Sequence, residues 1–146
     1  MGYTKNFTKL KIQMKKIEHI GIAVANLDKA NKLYSAILNT KPYKTETVET
    51  EGVVTSFFKC NNTKIELLQG MSENSAISKF IKKRGEGIHH IAFEVDDIGF
   101  EIQRLKELGF EIINENPKKG ADNKLICFIH PRSTNHVLIE LCQKIK

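Results

Sequence analysis

Ile-His-His-Ile-Ala-Phe-Glu-Val occupies residues 88–95, and Ile-Glu-His-Ile-Gly-Ile-Ala-Val occupies residues 17–24. Each stretch sets β-branched and apolar residues around a histidine, which is typical of a short β-strand. His19 aligns with His90 at an offset of 71 residues (90 − 19). A second pair of stretches follows, Ile-Glu-Leu-Leu-Gln at 65–69 and Ile-Glu-Leu-Cys-Gln at 139–143. The order histidine then glutamate therefore occurs once in each half, which indicates an internal duplication.

The segments around these stretches predict the same order of elements, β-α-β-β-β, in both halves. In the first half, Asn26 or Asp28 caps a helix whose apolar stripe is Ala30, Leu33, Tyr34, Ile37 and Leu38. Strands are expected at 17–24, 43–48, 53–60 and 64–69, with a short connecting helix at 76–83. In the second half, strands are expected at 88–95, 110–114, 125–130 and 137–143, with a helix from Asp96-Asp97 to Leu108.

Each repeat has roughly 55 residues, which is small for independent stability, so the two are expected to share their apolar faces. The sequence predicts an α+β protein in which two βαβββ modules, related by internal pseudo-symmetry, form one cupped mixed sheet. The expected domain covers residues 15–146, with module one at about 15–70 and module two at about 86–146. Residues 1–14 are expected to be a flexible N-terminal extension.

Composition narrows the classes of function. Hydrophobic residues make up 40% and charged residues 27%, as in an ordinary soluble protein, and no apolar run approaches the ~20 residues that span a bilayer. The net charge of +6 favours an anionic ligand, but the lysines form no basic block interleaved with aromatics, so a nucleic-acid partner is not expected. Three cysteines without CxxC spacing indicate buried thiols in a reducing compartment, and hence a cytoplasmic protein.

Strand alternation gives the histidines and glutamates a common direction. His19 shares its face with the small residues Gly21 and Ala23, and His90 shares its face with Ala92. Glu66 and Glu140 both point away from their apolar neighbours. Any one of these residues alone would more often lie on the solvated face of a sheet. Two imidazoles and two carboxylates repeated together instead favour a site for Co²⁺, Mn²⁺, Ni²⁺, Fe²⁺ or Zn²⁺, since isolated buried carboxylates are costly. Alternation also predicts that His89 points away from His90.

The paired modules with this quartet resemble the vicinal oxygen chelate superfamily, and within it the methylmalonyl-CoA epimerase family. The resemblance covers about residues 15–143, and its matching segments are 19–24 with 27–30, 52–54, 62–68, 87–98, 130–131 and 137–141. It implies metal-dependent interconversion of (2R)- and (2S)-methylmalonyl-CoA by 1,1-proton transfer through an enolate. It also implies an acyl-CoA substrate, a homodimer, and a divalent metal (Co²⁺ favoured) held by His19, Glu66, His90 and Glu140. Glu140 is expected to act as acid/base as well, with Glu66 as a possible partner.

The resemblance leaves several points open. Thr55 stands where some relatives carry a glutamate, so the second acid/base is not identified, and Glu49 and Glu51 are weaker candidates. Lys118, Lys119 and Lys124 are candidates for contacts with the coenzyme A phosphates. Two other functions use the same scaffold: a lactoylglutathione lyase-type enzyme, and a metal-free binding protein for small molecules. Metal content separates the binding protein from the enzymes, and turnover separates the enzymes.

Overall fold

The computed structural model describes residues 14–146, so the expected extension at 1–14 lies outside the described residues except for Met14. Eight strands form one curled mixed sheet in the order β2-β3-β4-β1-β5-β8-β7-β6. The strands are β1 Lys16–Ala23, β2 Lys44–Val48, β3 Val53–Cys60, β4 Thr63–Gly70, β5 Gly87–Glu94, β6 Lys118–Lys119, β7 Lys124–Ile129 and β8 Ile139–Lys144. The helices are α1 Leu27–Leu38, α2 Ala76–Arg84 and α3 Ile98–Glu107. The predicted α+β fold is confirmed.

The sheet is symmetric about its two central strands. β1 and β5 pair antiparallel with each other. On its other side each has a parallel partner, β4 for β1 and β8 for β5. The last strand of each module therefore lies next to that module's first strand. This arrangement brings the histidine strand and the glutamate strand of each half side by side at the centre of the sheet.

Capping residues fix where the helices begin. The side chains of Asn26, Ser75 and Asp97 accept hydrogen bonds from the backbone N–H groups three residues on, at 3.0, 3.1 and 3.0 Å. Helix α1 packs on the outer face of β3 and β4, and α3 packs on the outer face of β7 and β8. Helix α2 instead packs with residues of the inner face, among them Val53 and Leu68. It therefore closes one end of the cup.

The predicted strand at 110–114 is wrong. Ile112 makes a single isolated bridge to Ile129. The side chain of Asn114 takes over the next positions of the ladder: its Nδ2–H donates to the Ile126 carbonyl (3.2 Å), and its Oδ1 accepts from the Phe128 N–H (3.1 Å). A side chain that satisfies the neighbouring strand's backbone groups ends the regular pairing.

Three smaller predictions also need correction. The short strand β6 lies between the segments 110–114 and 125–130, where no strand was expected, and β8 begins at Ile139 rather than at residue 137. Leu33 and Ile37, both placed in the buried stripe of α1, are 58% and 65% exposed. Helix α1 meets the sheet mainly through Leu27 and Ala30. No helix in the described part of the chain is both long and apolar enough to cross a bilayer.

Candidate metal centre

The structure brings the four residues of the predicted quartet together on the inner face of the sheet. All four are buried, at 3–5% exposure. Within module one, His19 Nε2 lies 3.2 Å from Glu66 Oε1, and within module two, His90 Nε2 lies 3.2 Å from Glu140 Oε1. The contacts between modules are slightly longer, at 3.7 Å for His19 with Glu140 and 3.5 Å for His90 with Glu66. The internal duplication therefore produces two matched imidazole–carboxylate pairs around one centre.

The donor atoms have the spacing that a divalent ion requires. The two imidazole Nε2 atoms are 3.1 Å apart. Ligands at about 2.1 Å from a metal are separated by roughly 3.0 Å in octahedral geometry and roughly 3.4 Å in tetrahedral geometry. Potential ligand atoms of His19, His90 and Glu140 all lie within 4.8 Å of one another, and Glu66 contacts both imidazoles. A nitrogen and oxygen donor set of this kind fits a divalent transition metal, with His19, His90 and Glu140 as its core. Glu66 is the fourth candidate ligand.

Gly21 makes the room that His90 occupies. The two residues face each other across β1 and β5, and a Cβ atom on Gly21 would lie 2.2 Å from His90 Cε1. Ala92, the equivalent of Gly21 in the second repeat, faces His19 and is fully buried. Each histidine is therefore faced by a small residue of the neighbouring strand.

Two β-bulges correct the prediction for His89. In the β1–β5 pairing the register shifts between Ile17 and His19 and again between Gly21 and Ile22, so Glu18 and His89 are each left as an extra residue. A bulge interrupts strand alternation and re-aims the side chain. Glu18 and His89 consequently line the same central cavity as the histidines that follow them. Glu18 and His89 are 71 residues apart, which is the offset between the two repeats. Aligning the repeats therefore identifies them as equivalent positions in the sequence.

Glu18 contacts the ring of His19 on the side away from the centre. His19 Nδ1 lies 2.8 Å from Glu18 Oε1. An ionised carboxylate only accepts hydrogen bonds, so Nδ1 carries the hydrogen. Burial disfavours the charge of Glu18, but hydrogen bonds from His19 and from Lys64 (2.6 Å) outweigh burial and lower the pKa of Glu18 to about 2. The ionised Glu18 therefore holds His19 in the tautomer that turns Nε2 toward the centre.

The carboxylates around His19 raise its pKa. Burial opposes its protonation, yet Glu140 and Glu66 outweigh burial and raise the pKa of His19 well above the ordinary value. Burial likewise disfavours the charged form of Glu66, but His19 and His90 hold the pKa of Glu66 below its usual range. Either a proton on His19 Nε2 or a divalent cation can balance the negative charge of these carboxylates. A metal must therefore compete with a proton at this nitrogen.

His89 occupies the matching position beside His90, but without a charge. The two Nδ1 atoms are 2.9 Å apart. Burial and the neighbouring His90 lower the pKa of His89 to about 4, so His89 is neutral at physiological pH. For His90 Nε2 to offer a lone pair, the Nδ1–H of His90 must donate to His89. The two candidate ligand histidines thus have different supports, one anionic and one neutral.

The other candidates from the sequence have different surroundings. Thr55 is fully buried, and its hydroxyl donates to Glu66 Oε2 at 2.9 Å, so it orients that carboxylate. Glu51 lines the cavity but pairs with Lys118 at 2.7 Å, whereas Glu49 is exposed and does not line it. Lys124, predicted to meet coenzyme A, is instead 4% exposed. Its ammonium lies 3.6 Å from Glu18 Oε2 within a network of buried charges.

The chain and its fold have clear relatives. Residues 18–128 match the model of the Glyoxalase/Bleomycin resistance protein/Dioxygenase superfamily, and the chain belongs to that superfamily. It is 40% identical to the mitochondrial methylmalonyl-CoA epimerase of Dictyostelium discoideum over 92% of this chain and 81% of that protein. It is 38% identical to the ethylmalonyl-CoA/methylmalonyl-CoA epimerase of Cereibacter sphaeroides, over 88% and 97% of the two chains.

Solved structures agree with the sequence relatives. A methylmalonyl-CoA epimerase in complex with methylmalonyl-CoA and NH4+ superposes with a TM-score of 0.87 at 32% identity. The match covers 90% of this chain and 96% of that one. Within the superfamily, the chain is a homologue of the methylmalonyl-CoA epimerases.

Proposed function

We propose that this protein is an isomerase that interconverts (2R)- and (2S)-methylmalonyl-CoA by metal-assisted 1,1-proton transfer through an enolate. The observation that carries the proposal is the pair of matched imidazole–carboxylate contacts, His19 with Glu66 and His90 with Glu140, both at 3.2 Å. The epimerase relatives at 38–40% identity support the choice of substrate.

The reaction needs both charge stabilisation and two proton-transfer groups. A bound divalent metal supplies Lewis-acid stabilisation of the negative charge that develops on the thioester oxygen. The quartet supplies N and O donors that suit several first-row metals, and we propose Co²⁺ as the favoured ion, with Mn²⁺, Ni²⁺ and Zn²⁺ as substitutes. Inversion at C2 then requires one group to remove a proton and another to deliver one on the opposite face.

Glu140 and Glu66 are the proposed acid/base pair. Each comes from a different module, so the pseudo-symmetry sets them on related strands around the shared centre. The other carboxylates that line the cavity are engaged by cations: Glu18 and Asp122 by Lys64, and Glu51 by Lys118. Thr55 has no group that acts as a base at neutral pH, and its hydroxyl contributes by fixing Glu66.

Isotope exchange tests the proposal. The cobalt-loaded protein is expected to epimerise methylmalonyl-CoA in D₂O with incorporation of deuterium at C2, and the chelator-stripped protein is not. Glu140→Gln and Glu66→Gln should each lose epimerisation, and each should retain exchange with only one epimer if the two residues serve opposite faces. Glu51→Gln is the matched control and should stay active. Absence of exchange from cobalt-loaded, folded protein would overturn the proposed reaction.

We further propose a homodimer in the reducing cytoplasm. Leu33 and Ile37 lie one turn apart on α1 and are mostly exposed, which gives an apolar strip suited to association. Cys127 and Cys142 are free thiols in the core, and burial raises the pKa of both to about 12, so they are unreactive. Light scattering on the wild type and on Leu33→Ser/Ile37→Ser tests the association, and a wild-type monomer would refute it.

A further inference from the structure

A network of charged side chains joins the two modules beside the candidate centre. Its hub is Asp122, which lies between β6 and β7 of module two. The Tyr43 hydroxyl donates a hydrogen bond to the Asp122 carboxylate at 3.1 Å. The ammonium groups of Lys44 and Lys64 donate to the same carboxylate at 3.2 Å each. The Asp122 N–H in turn donates to Glu46 Oε1 at 2.8 Å. Side chains of module one therefore hold this residue of module two from several directions.

Lys64 connects Asp122 to the candidate ligand His19. The Lys64 ammonium lies between two carboxylates, 3.2 Å from Asp122 Oδ2 and 2.6 Å from Glu18 Oε2. Glu18 Oε1 accepts a hydrogen bond from His19 Nδ1 at 2.8 Å. Hydrogen bonds between charged groups are shorter and stronger than those between neutral groups. A continuous path of three hydrogen bonds therefore runs from Asp122 to the ring of His19.

The network is largely closed to solvent, and its charges balance. Glu18 and Lys124 are buried, and the side chains of Asp122 and Lys64 are 18% and 20% exposed. The Lys124 ammonium lies 3.5 Å from Asp122 and 3.6 Å from Glu18, so two carboxylates face two ammonium groups. Burial disfavours the charge of Asp122, but Lys124 and Lys64 outweigh burial and lower the pKa of Asp122. Salt screens partly buried pairs only weakly, so these contacts hold Asp122 and Lys64 in place at physiological ionic strength.

The support of His90 is built differently. The Nδ1 atoms of His89 and His90 are 2.9 Å apart, and His89 packs edge-on against Phe80 at 4.9 Å. The support of His90 therefore ends at an aromatic ring, whereas the support of His19 continues across the boundary between the modules.

We infer that Asp122 is a positioning residue for the candidate metal centre: it fixes Lys64, and Lys64 holds Glu18 against His19 Nδ1. The inference rests on the proposed metal-assisted function and deepens it. Each module contributes its own histidine and glutamate to the centre, and through Asp122 module two also orients the histidine of module one.

Asp122→Asn tests the inference with little change in shape. Asp122 has a φ of 56° and a ψ of 36°, in the left-handed region that Asn also adopts. The variant therefore keeps the backbone and loses the carboxylate that fixes Lys64. Its cobalt dissociation constant, measured by competition with a chromophoric chelator in the absence of thioester, should rise about fivefold, which is less than the loss expected for a group that contacts the histidine directly. Glu51→Gln is the matched control and should leave the constant unchanged, because Glu51 also lines the cavity and pairs with a lysine, Lys118 at 2.7 Å.

Lys64→Met separates positioning from the charge of the network. Removal of a nearby cation would by itself favour binding of a divalent ion, so charge alone predicts tighter cobalt binding. Loss of the group that holds Glu18 instead predicts weaker binding, by about tenfold. The charge-neutral double variant Asp122→Asn/Lys64→Met should bind cobalt within about twofold of Lys64→Met, because Asp122 acts through Lys64. An effect of charge alone would restore the wild-type affinity.

The imidazole N–H groups give a readout that a general loss of stability does not reproduce. In zinc-loaded protein, a nitrogen–proton correlation spectrum should show the Nδ1–H of His19 as a slowly exchanging signal. This proton should exchange with water faster in Asp122→Asn and in Lys64→Met. The Nδ1–H of His90, which contacts His89, should exchange as in wild type. Circular dichroism checks that each variant is folded.

Cobalt affinity that is unchanged in Asp122→Asn, higher in Lys64→Met, or lowered equally in Glu51→Gln would overturn the assignment. Equal changes in the exchange of both imidazole protons would do so as well. The absence of a thioester from these measurements separates the inference from the proposed reaction. A wild type that binds cobalt and shows the expected losses, but does not epimerise, would refute the reaction and retain the role of Asp122. A wild type that epimerises, with cobalt affinity unchanged in both variants, would do the reverse.

Discussion

Glu18→Gln tests how the fold prepares His19 for a metal. The substitution keeps an oxygen at the position of Glu18 Oε1, 2.8 Å from His19 Nδ1, so the hydrogen bond and the tautomer can persist. It removes the negative charge that makes the imidazole more basic. It also removes one of the two carboxylates that pair with Lys64 and Lys124: the Glu18 Oε2 atom, at 2.6 and 3.6 Å, is neutralised. Asp122 remains at 3.2 and 3.5 Å from the two ammonium groups. A less basic imidazole beside cations that are only partly compensated is a weaker ligand for a divalent ion.

The magnitude follows from such support in other metal sites. Loss of a hydrogen-bonding partner behind a ligand histidine weakens metal binding by roughly 10- to 100-fold, or about 1.4–2.7 kcal/mol. We expect Glu18→Gln to fall in the upper part of this range because the charge is buried, with 1% exposure. His89→Gln should cost less, about 3- to 10-fold, because the partner that it removes from His90 is neutral.

Competition with a chromophoric chelator gives the cobalt dissociation constant of each variant, and circular dichroism checks that it is folded. Glu94→Gln is the matched control. Glu94 is also a buried glutamate of the central strands, but its nearest cations are Lys15 at 3.8 Å and Lys144 at 3.9 Å. A folded Glu18→Gln protein whose cobalt affinity stays within twofold of wild type, or falls no further than that of Glu94→Gln, would refute the reasoning.

Three further outcomes are expected. In metal-free protein the lowered pKa of Glu18 (about 2, against 4.5) contributes stability that is complete above pH 4.5 and lost toward pH 2. This contribution is roughly 3 kcal/mol, and urea unfolding should show it in wild type but not in Glu18→Gln. Because the pKa of His19 is raised, protonation of His19 stabilises the metal-free protein fully below pH 6.5, and this stability is lost as pH rises through the raised pKa. Cobalt competes with that proton, so cobalt affinity measured by titration should increase as pH rises above 6.5. Gly21→Ala should lower the free energy of unfolding by about 1–3 kcal/mol and weaken cobalt binding at least tenfold. In Gly99→Ala the atom nearest to the added Cβ is 3.5 Å away, so neither quantity should change. Equal losses of stability for the two variants in thermal unfolding would contradict this expectation.

The internal repeat explains why so much of the site could be predicted from the sequence. Each half of the chain has a histidine-containing strand followed by a strand with one glutamate, and this repetition favours an arrangement in which the two copies face each other. The alternation rule then placed His19, His90, Glu66 and Glu140 on the inner face, and the structure brings all four within contact distance.

Local interruptions of regular structure could not be predicted in the same way. Alternation assumes an unbroken ladder, so it misplaced His89, which a bulge turns inward. The same rule gave a strand at 110–114, where the Asn114 side chain replaces backbone pairing. In both cases the decisive hydrogen bonds join segments that are distant in sequence. A pattern of residue types along one strand carries no information about such partners.

The two bulges also explain how a duplicated fold can serve an asymmetric reaction. The equivalent positions before the two candidate ligand histidines hold a glutamate in one repeat and a histidine in the other, and both contact Nδ1. The anionic Glu18 favours the charged form of His19, whereas His90 contacts the neutral His89. The carboxylates paired with these rings therefore have different electrostatic surroundings, although the distances on the two sides are equal. Removing and returning a proton on opposite faces of one carbon makes different demands on two acid/base groups. In the proposed mechanism, this difference would let one symmetric scaffold give Glu66 and Glu140 separate roles.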